Sequence, residues 1–599
     1  MSNLRRFRVW APLPSKVELQ LGAKRLAMSR SESDSVEGTG ERPGWWTIEA
    51  RVPEGVTDYG FILDGEGPFP DPRSHWQPNG VHNLSRVVDH GDFKWTDGEW
   101  SAGSLSSAIF YELHVGTFTP EGTFDAAIGK LDHLLRIGVT HVEIMPVNEF
   151  PGNRGWGYDG VDLFAPHHTY GGPDGLKRFV QACHARKLAV ILDVVYNHLG
   201  PAGNYLARFG PYFTTRYSTP WGSALNFDDR DSDEVRRFFC DNALTWLRDY
   251  HFDGLRLDAI HAILDASAQP FLEQLKLEVE ALETELGRKL VLIAESDSND
   301  PRLLWTRDRG GFNLDAQWSD DFHHALHAVL TGETAGYYSD FRGLGDLAKA
   351  LRHAFVYDGQ YSRFRARRHG RSTEGLGGDR FVVCLENHDQ IGNRARGERI
   401  HQILASEGGG GNPRSIGLLK IGTALVLAGP FTPLLFQGQE WAASTPFLYF
   451  TDHDKKLGQA IRDGRCREFT EFGWKPEEVP DPQALETFQS SKLDWSELAR
   501  ASRTEILEWH RQLIRLRRSE PELAGGPLDA VAVKCDERGR WLAVKRGSFT
   551  IACNFAERTQ AVKTRAGAQG LVLASGAGTK VTSGSVRLPP VSVVILKRG

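Results

Sequence analysis

Four short segments of the chain end an apolar run in an acid, and together they hold residue types that could break a glycosidic bond. They are Asp193-Val-Val-Tyr-Asn197-His198, Gly254-Leu-Arg256-Leu-Asp258, Ile293-Ala-Glu295 and Glu386-Asn387-His388-Asp389. Two carboxylates flanking such a bond divide the work: one gives a proton to the leaving oxygen, and the other attacks the anomeric carbon or activates water. Arg256 stands two residues before Asp258, on the same face of an extended strand, where its charge would keep Asp258 ionised. Asp258 is then the expected nucleophile and Glu295 the expected acid. Asp389, beside His388, would hold ring hydroxyls and favour the positive charge that develops at the anomeric carbon. One acid at a strand end is more often a helix cap or a loop hydrogen-bonder. Four of them in one chain point to chemistry.

Such acids cooperate only if their strands open onto one face. From Ala108 the chain alternates apolar strands with amphipathic helices. Strands are expected over residues 108–113, 139–145, 188–194, 254–259, 290–294, 312–316, 381–385 and 434–436. Helices are expected from a Thr123 cap to Gly138, and over 173–185, 233–249 and 270–286. Eight strands joined mainly by helices predict a closed (β/α)8 TIM barrel, whose strand C-termini face the active site. No GxGxxG follows an early strand, which speaks against an open doubly wound sheet. Residues 1–104 read as short strands punctuated by Gly and Pro, an immunoglobulin-like β-sandwich of the carbohydrate-binding-module kind, with a solvated loop at 30–42. The barrel takes 105–525, with a loop subdomain inserted at 198–232 that is long enough to build a site or a lid. Residues 526–599 return to strands, with a hairpin signal at 536–540, and form a C-terminal all-β domain.

Composition narrows the ligand. The 71 Lys+Arg and 77 Asp+Glu leave a formal charge of −6, which argues against nucleic acid as a partner. Six cysteines without a CxxC pair indicate neither a disulfide framework nor a zinc ribbon, and fit a reduced cytoplasmic compartment. No signal peptide or membrane span is expected. His323 and His327, four apart with Asp320 and Asp321 nearby, are the best metal candidates, but no HExxH or strand-end HxH accompanies them. Neither a metal nor another cofactor is expected. The 16 Trp and 14 Tyr suit stacking on uncharged sugars, although most such residues fill cores.

In order and spacing, the four acidic segments resemble the signature regions of the α-amylase family, glycoside hydrolase family 13. The resemblance extends over nearly the whole chain, and Phe7-Arg-Val-Trp-Ala-Pro resembles modules preceding the barrel in branching and debranching members. It implies retention of configuration, with Asp258 as nucleophile, Glu295 as general acid/base and Asp389 as transition-state stabiliser. Asp193, His198, Arg256 and His388 match residues lining the subsite of the attacked sugar, and Tyr158 matches a tyrosine that stacks under it. Trp156, Asn197, His261 and Asn387 complete the expected substrate-binding set. The run Gly155-Trp156-Gly157-Tyr158-Asp159-Gly160, with the following Phe164–Gly175 stretch, resembles both branching enzymes and members that hydrolyse trehalose-capped glucans. Glu386-Asn-His-Asp-Gln-Ile-Gly-Asn393-Arg394, residues 314–327 and Phe447-Leu-Tyr-Phe-Thr-Asp-His453 resemble the latter. The implied substrates are maltooligosyltrehalose and related α-glucans, and the enzyme that makes maltooligosyltrehalose is a possible pathway partner. A 1,4-α-glucan branching enzyme is the alternative. A non-catalytic glycan binder is a further rival, but it would be expected to have lost catalytic acids. Selectivity for a trehalose leaving group has to come from acceptor-side residues, with His261, residues 318–321 and the basic run 361–368 as candidates.

Overall fold

The structure is a computed structural model that describes residues 4–31, 44–52, 58–406, 413–471, 475–564 and 569–598. Most of the loop expected at 30–42 lies outside them.

Eight parallel strands close into a barrel: Phe110–Leu113, His141–Ile144, Ala189–Val194, Gly254–Leu257, Val291–Ala294, Ala316–Trp318, Phe381–Cys384 and Thr432–Phe436. The eighth pairs with the first, Leu434 opposite Phe110, which completes the ring. Strands buried on both faces must be apolar nearly throughout, as these are. Phe110, Ile191, Ile293, Val382 and Leu434, from five different strands, form one packed cluster. Each such side chain contributes about 1.5–3 kcal/mol by leaving water. At the start of the fourth strand, buried Asp253 gathers three segments: it accepts from Trp100 Nε1 (2.8 Å), His184 Nε2 (3.0 Å) and the Val190 amide (2.8 Å).

Two expectations change. The helix capped by Thr123 is two, Phe124–Ile128 and Leu131–Ile137, because the first turn closes on Gly129, whose amide bonds the Ala126 and Ala127 carbonyls. Gly138 ends the second in the left-handed region, at φ 97°. The sixth strand starts at Ala316, where 312–316 was expected. The Phe312, Asn313 and Leu314 amides bond the Arg302, Trp305 and Leu303 carbonyls, so that apolar stretch belongs to the preceding loop.

Ahead of the barrel stand two antiparallel sheets. One holds Leu4–Trp10, Trp45–Arg51 and Ser29–Arg30; the other holds Val17–Leu21, Lys24–Ala27, Asp58–Leu63, Glu66–Phe69 and Ser85–Arg86. This unit props up the insertion after the third strand. Leu13 donates to the Phe209 carbonyl, the Trp10 and Tyr212 rings meet edge-on at 5.3 Å, and a side chain at Gly210 would strike Trp10. The insertion carries the helical turn Leu206–Phe209 and the hairpin Phe213–Thr219/Gly222–Leu225. The C-terminal unit has a five-stranded and a three-stranded sheet, and its first hairpin pairs Asp536 with Trp541. No disulfide forms among the described residues.

Candidate active site

Four of the barrel strands and the loops after them bring the predicted acids to one rim. Arg256, on the fourth strand, is the centre of the arrangement and is 2 % exposed. Its Nη1 donates to both Asp193 oxygens (2.9 and 2.8 Å) and to Asp258 Oδ1 (2.7 Å). Its Nη2 lies 3.7 Å from Glu295 Oε2, and its guanidinium covers the Trp318 ring at 4.5 Å. The other Asp258 oxygen accepts from Asn197 Nδ2 (2.8 Å), which also donates to the Asp258 carbonyl (2.6 Å). The chain then turns sharply, with Ala259 in the left-handed region at φ 38°, and this aims the Ala259 amide at Glu295 Oε2. A non-glycine residue there costs about 1–2 kcal/mol, which the surrounding contacts must offset.

These contacts separate the two acids electrically. Burial alone would raise the Asp258 pKa, but the Arg256 charge, the Asn197 hydrogen bond and His198 outweigh it and hold it below the ordinary value. At Glu295 burial is again the largest influence. There the Asp258 and Asp320 charges add to it, Arg256 and the Ala259 amide do not offset it, and the carboxyl is pushed well up. The ionised form is thus favoured at one group and the protonated form at the other, the pairing that general-acid and nucleophilic work requires.

A second chain of contacts runs from Asp193 to the first barrel strand. Tyr158 Oη donates to Asp193 Oδ2 (2.7 Å) and also lies 2.7 Å from His388 Nε2. With the hydroxyl proton directed at Asp193, His388 Nε2 must be the donor of the second bond. His388 Nδ1 contacts Glu112 Oε1 (2.5 Å), and the His388 amide donates to Glu112 Oε2 (3.0 Å). With both ring nitrogens facing acceptors, this arrangement favours the imidazolium form. Burial opposes that charge, but Glu112 and Asp389 raise the His388 pKa above its ordinary value. The Tyr158 and His388 rings are stacked at 5.2 Å.

The remaining predicted residues divide into exposed and internal ones. Asp389 is exposed and accepts from Asn393 Nδ2 at 2.6 Å. His261 is also exposed, in the turn after Asp258. His198 bonds the Tyr158 carbonyl (3.1 Å) and is stacked at 4.6 Å under Trp221 from the insertion hairpin. Trp156 is only 6 % exposed; its Nε1 donates to the Leu448 carbonyl (2.9 Å) and its ring is stacked on Phe447. It presents no open face to a sugar and instead backs Tyr158 and His388. Asn387 is 1 % exposed, and its Oδ1 caps the helical turn His388–Gly392 by accepting from the Gln390 amide (2.8 Å).

Several neighbours of the site had no assigned place in it. Glu112 and Glu143 stand opposite each other on adjacent strands. Both oxygens of Glu143 are buried without a hydrogen-bond partner among the described residues, and burial followed by the Glu112 charge raises its pKa well above normal, which favours the neutral acid. The signal available for both was an acid inside an otherwise apolar strand, where an unpaired charge is not tolerated. The carboxyl of Asp320 has no hydrogen-bond partner among the described residues; burial and the nearby Asp389 charge raise its pKa to about 7. The metal candidates do not converge. His327 Nε2 bonds Glu333 (2.7 Å), and Asp321 accepts from the Val356 and Tyr357 amides. A group of metal-like spacing occurs at Glu149, His167 and His168, but Glu149 already accepts from both the ring and the amide of His168.

A closed parallel barrel with oppositely tuned acids at its rim is the architecture of an α-amylase-type glycosidase, and residues 89–217 match the model for the alpha amylase catalytic domain. Residues 528–595 match a domain of unknown function, DUF3459. The malto-oligosyltrehalose trehalohydrolase of Rhizobium sp. (strain M-11) is 49% identical over 597 residues, covering 99% of this chain and 97% of that one. That of Arthrobacter ramosus is 50% identical over 555 residues, covering 91% and 92%. A crystal structure named as a candidate alpha amylase from Salmonella typhimurium superposes with TM-score 0.88 at 37% identity, covering 100% and 98%. The chain belongs to the malto-oligosyltrehalose trehalohydrolases of the α-amylase family. A glucan branching enzyme of Vibrio parahaemolyticus is 34% identical over 288 residues, which span 43% of this chain and 36% of that one.

Proposed function

We propose that the chain hydrolyses the α-1,4 bond next to the terminal trehalose of a maltooligosyltrehalose, releasing trehalose and a shortened maltooligosaccharide with retained configuration. The observation that carries the chemistry is the single guanidinium of Arg256, which bonds Asp258 at 2.7 Å, beside a Glu295 whose pKa burial pushes well up. Asp258 attacks the anomeric carbon, and Glu295 donates its proton to the departing glucosyl oxygen. Glu295, now ionised, takes a proton from water, which opens the glycosyl ester on Asp258. Asp389 stabilises the oxocarbenium charge. Tyr158 supplies the face under the attacked ring, and the Asp193, His198, Arg256 and His388 side chains hold its hydroxyls, while Asn197 orients Asp258. His261 stands on the leaving-group side. Trp156 and Asn387 act through others, the first by backing Tyr158, the second by fixing the turn that carries Asp389.

Full-length similarity to trehalohydrolases supports trehalose as the leaving group, whereas the branching-enzyme match spans less than half of the chain. The same reading takes 1–104, 105–525 with its insertion at 198–232, and 526–599 as the domains, and places the enzyme in the cytoplasm with the enzyme that forms maltooligosyltrehalose. No helix among the described residues is long and apolar enough to cross a membrane. Incubating the chain separately with maltooligosyltrehalose and with amylose tests the assignment. Free trehalose from the first and no new α-1,6 linkages from the second is the expected result; branch points without trehalose would overturn it.

A further inference from the structure

At the end of the barrel opposite the catalytic rim, the turn at Gly138 leads from the helix Leu131–Ile137 into the second strand, and the helix Ala501–Ser519 lies across it. Helix-to-strand turns sit at the strand N-termini, away from the active site. The approach is close: a β-carbon on Gly138 would fall 2.6 Å from Ile514 Cγ2. Beside this contact opens a groove of about 460 Å³, within the range that small-molecule sites occupy. Arg511, Arg515 and Arg518 line it from one helix and Arg136 from the other, and no carboxylate lines it. Arg511, Arg515 and Arg518 are spaced four and three residues apart, so one helix face presents all three.

None of the four arginines forms an ion pair among the described residues, whereas Arg500 and Arg503, earlier in the same region, both engage Glu497. Among the described residues, Arg518 donates only to the Gly138 carbonyl (3.3 Å), and Arg511 Nε is buried with no acceptor. Basic residues near a helix C-terminus ordinarily complement its dipole, and that accounts for Arg136 and Arg518. It does not account for Arg511, two turns from the helix end, or for the concavity. Of the four, Arg136 has Asp132 one turn away, but the like charges of Arg511, Arg515 and Arg518 around one groove repel each other unless an anion joins them. The guanidinium fork matches phosphate oxygens in pairs, and the groove also has an apolar wall at Leu135, which is 44% exposed.

We propose that this groove is a binding site for a phosphorylated small molecule, separate from the glucan site, with the phosphate on the arginines and an attached ring against the apolar wall. The test is calorimetric titration of the full chain with pyrophosphate, glucose 6-phosphate and ADP, each at ionic strength matched with chloride. One saturable site is expected, with affinity falling roughly tenfold or more in Arg511→Gln/Arg515→Gln. Glucan turnover of that variant without added anion should be unchanged. Tighter binding of glucose 6-phosphate or ADP than of pyrophosphate is expected from the apolar wall, and tightest binding of pyrophosphate would overturn the attached ring. The exposed single variant Arg515→Gln serves if the double variant unfolds. Absence of saturable binding by all three probes, or equal affinity in wild type and variant, would overturn the proposal.

Discussion

Arg256 does at the residue scale what no single acid of the site could do. It bonds Asp193 and Asp258 through one nitrogen and stands 3.7 Å from Glu295 through the other, so that Asp258 is held low while burial and the neighbouring acids still keep Glu295 high. The proposed mechanism needs Asp258 ionised and Glu295 protonated, so the rate should rise as pH passes the lowered Asp258 pKa and fall as it passes the raised Glu295 pKa. Arg256→Gln removes a positive charge that favours ionisation of both groups. Both limbs of the pH–rate profile should move to higher pH, and kcat should drop by about 10²-fold or more. A profile of unchanged position would remove Arg256 from this role. Asp258→Asn and Glu295→Gln should each lower kcat by orders of magnitude with the fold intact by circular dichroism; near-normal turnover in either would disqualify that residue. Asp258, Glu295 and Arg256 were readable in the sequence because each sits at the end of a recognisable strand and alternation fixes its face. Glu112 showed only as an acid inside an apolar strand: its contact with His388, 276 positions away, is made only by the barrel's closure.

Elements decide how firmly those residues are held. Asp389 lies on a turn whose next residues, Asn393 and Arg394, tie it down. Asn393 donates to Asp389, and Arg394 forms a two-pronged contact with Glu333 (2.9 and 2.8 Å), which His327 also bonds. Glu333→Gln should therefore lower kcat more than it raises KM, because it loosens a group that acts in the transition state. A rise in KM alone would show that the turn is held by other contacts. Seven of the eight barrel strands could be read from apolar runs, and the sixth slipped because Phe312 and Leu314 are as apolar as a strand while their amides bond a neighbouring loop. Trp156 misled for a related reason: an indole beside Tyr158 looks the same in sequence whether it faces a sugar or, as here, Phe447.

Over the whole molecule, the outer β-units are attached in ways no motif announces. The N-terminal sheets brace the insertion that sets Trp221 on His198. At the other end, buried Arg517 and Arg546 grip backbone carbonyls around the turn before the eighth strand: Arg517 holds Leu427, Gly429 and Phe431, and Arg546 holds Ala428, Gly429 and Leu523. Burial lowers the Arg546 pKa to about 10, still charged at neutral pH. Arg546→Met should leave buried carbonyls unpaired and cost about 3 kcal/mol or more. The denaturant midpoint should fall while kcat at 25 °C persists, and an unchanged midpoint would show that this arginine does not anchor the C-terminal unit. The central claim, retaining cleavage that frees trehalose, is most directly tested by real-time proton NMR of maltooligosyltrehalose digestion. Trehalose signals should grow in step with α-anomeric reducing ends, the β-anomer following only by mutarotation. A β-anomer that appears first, or new reducing ends without trehalose, would contradict the account.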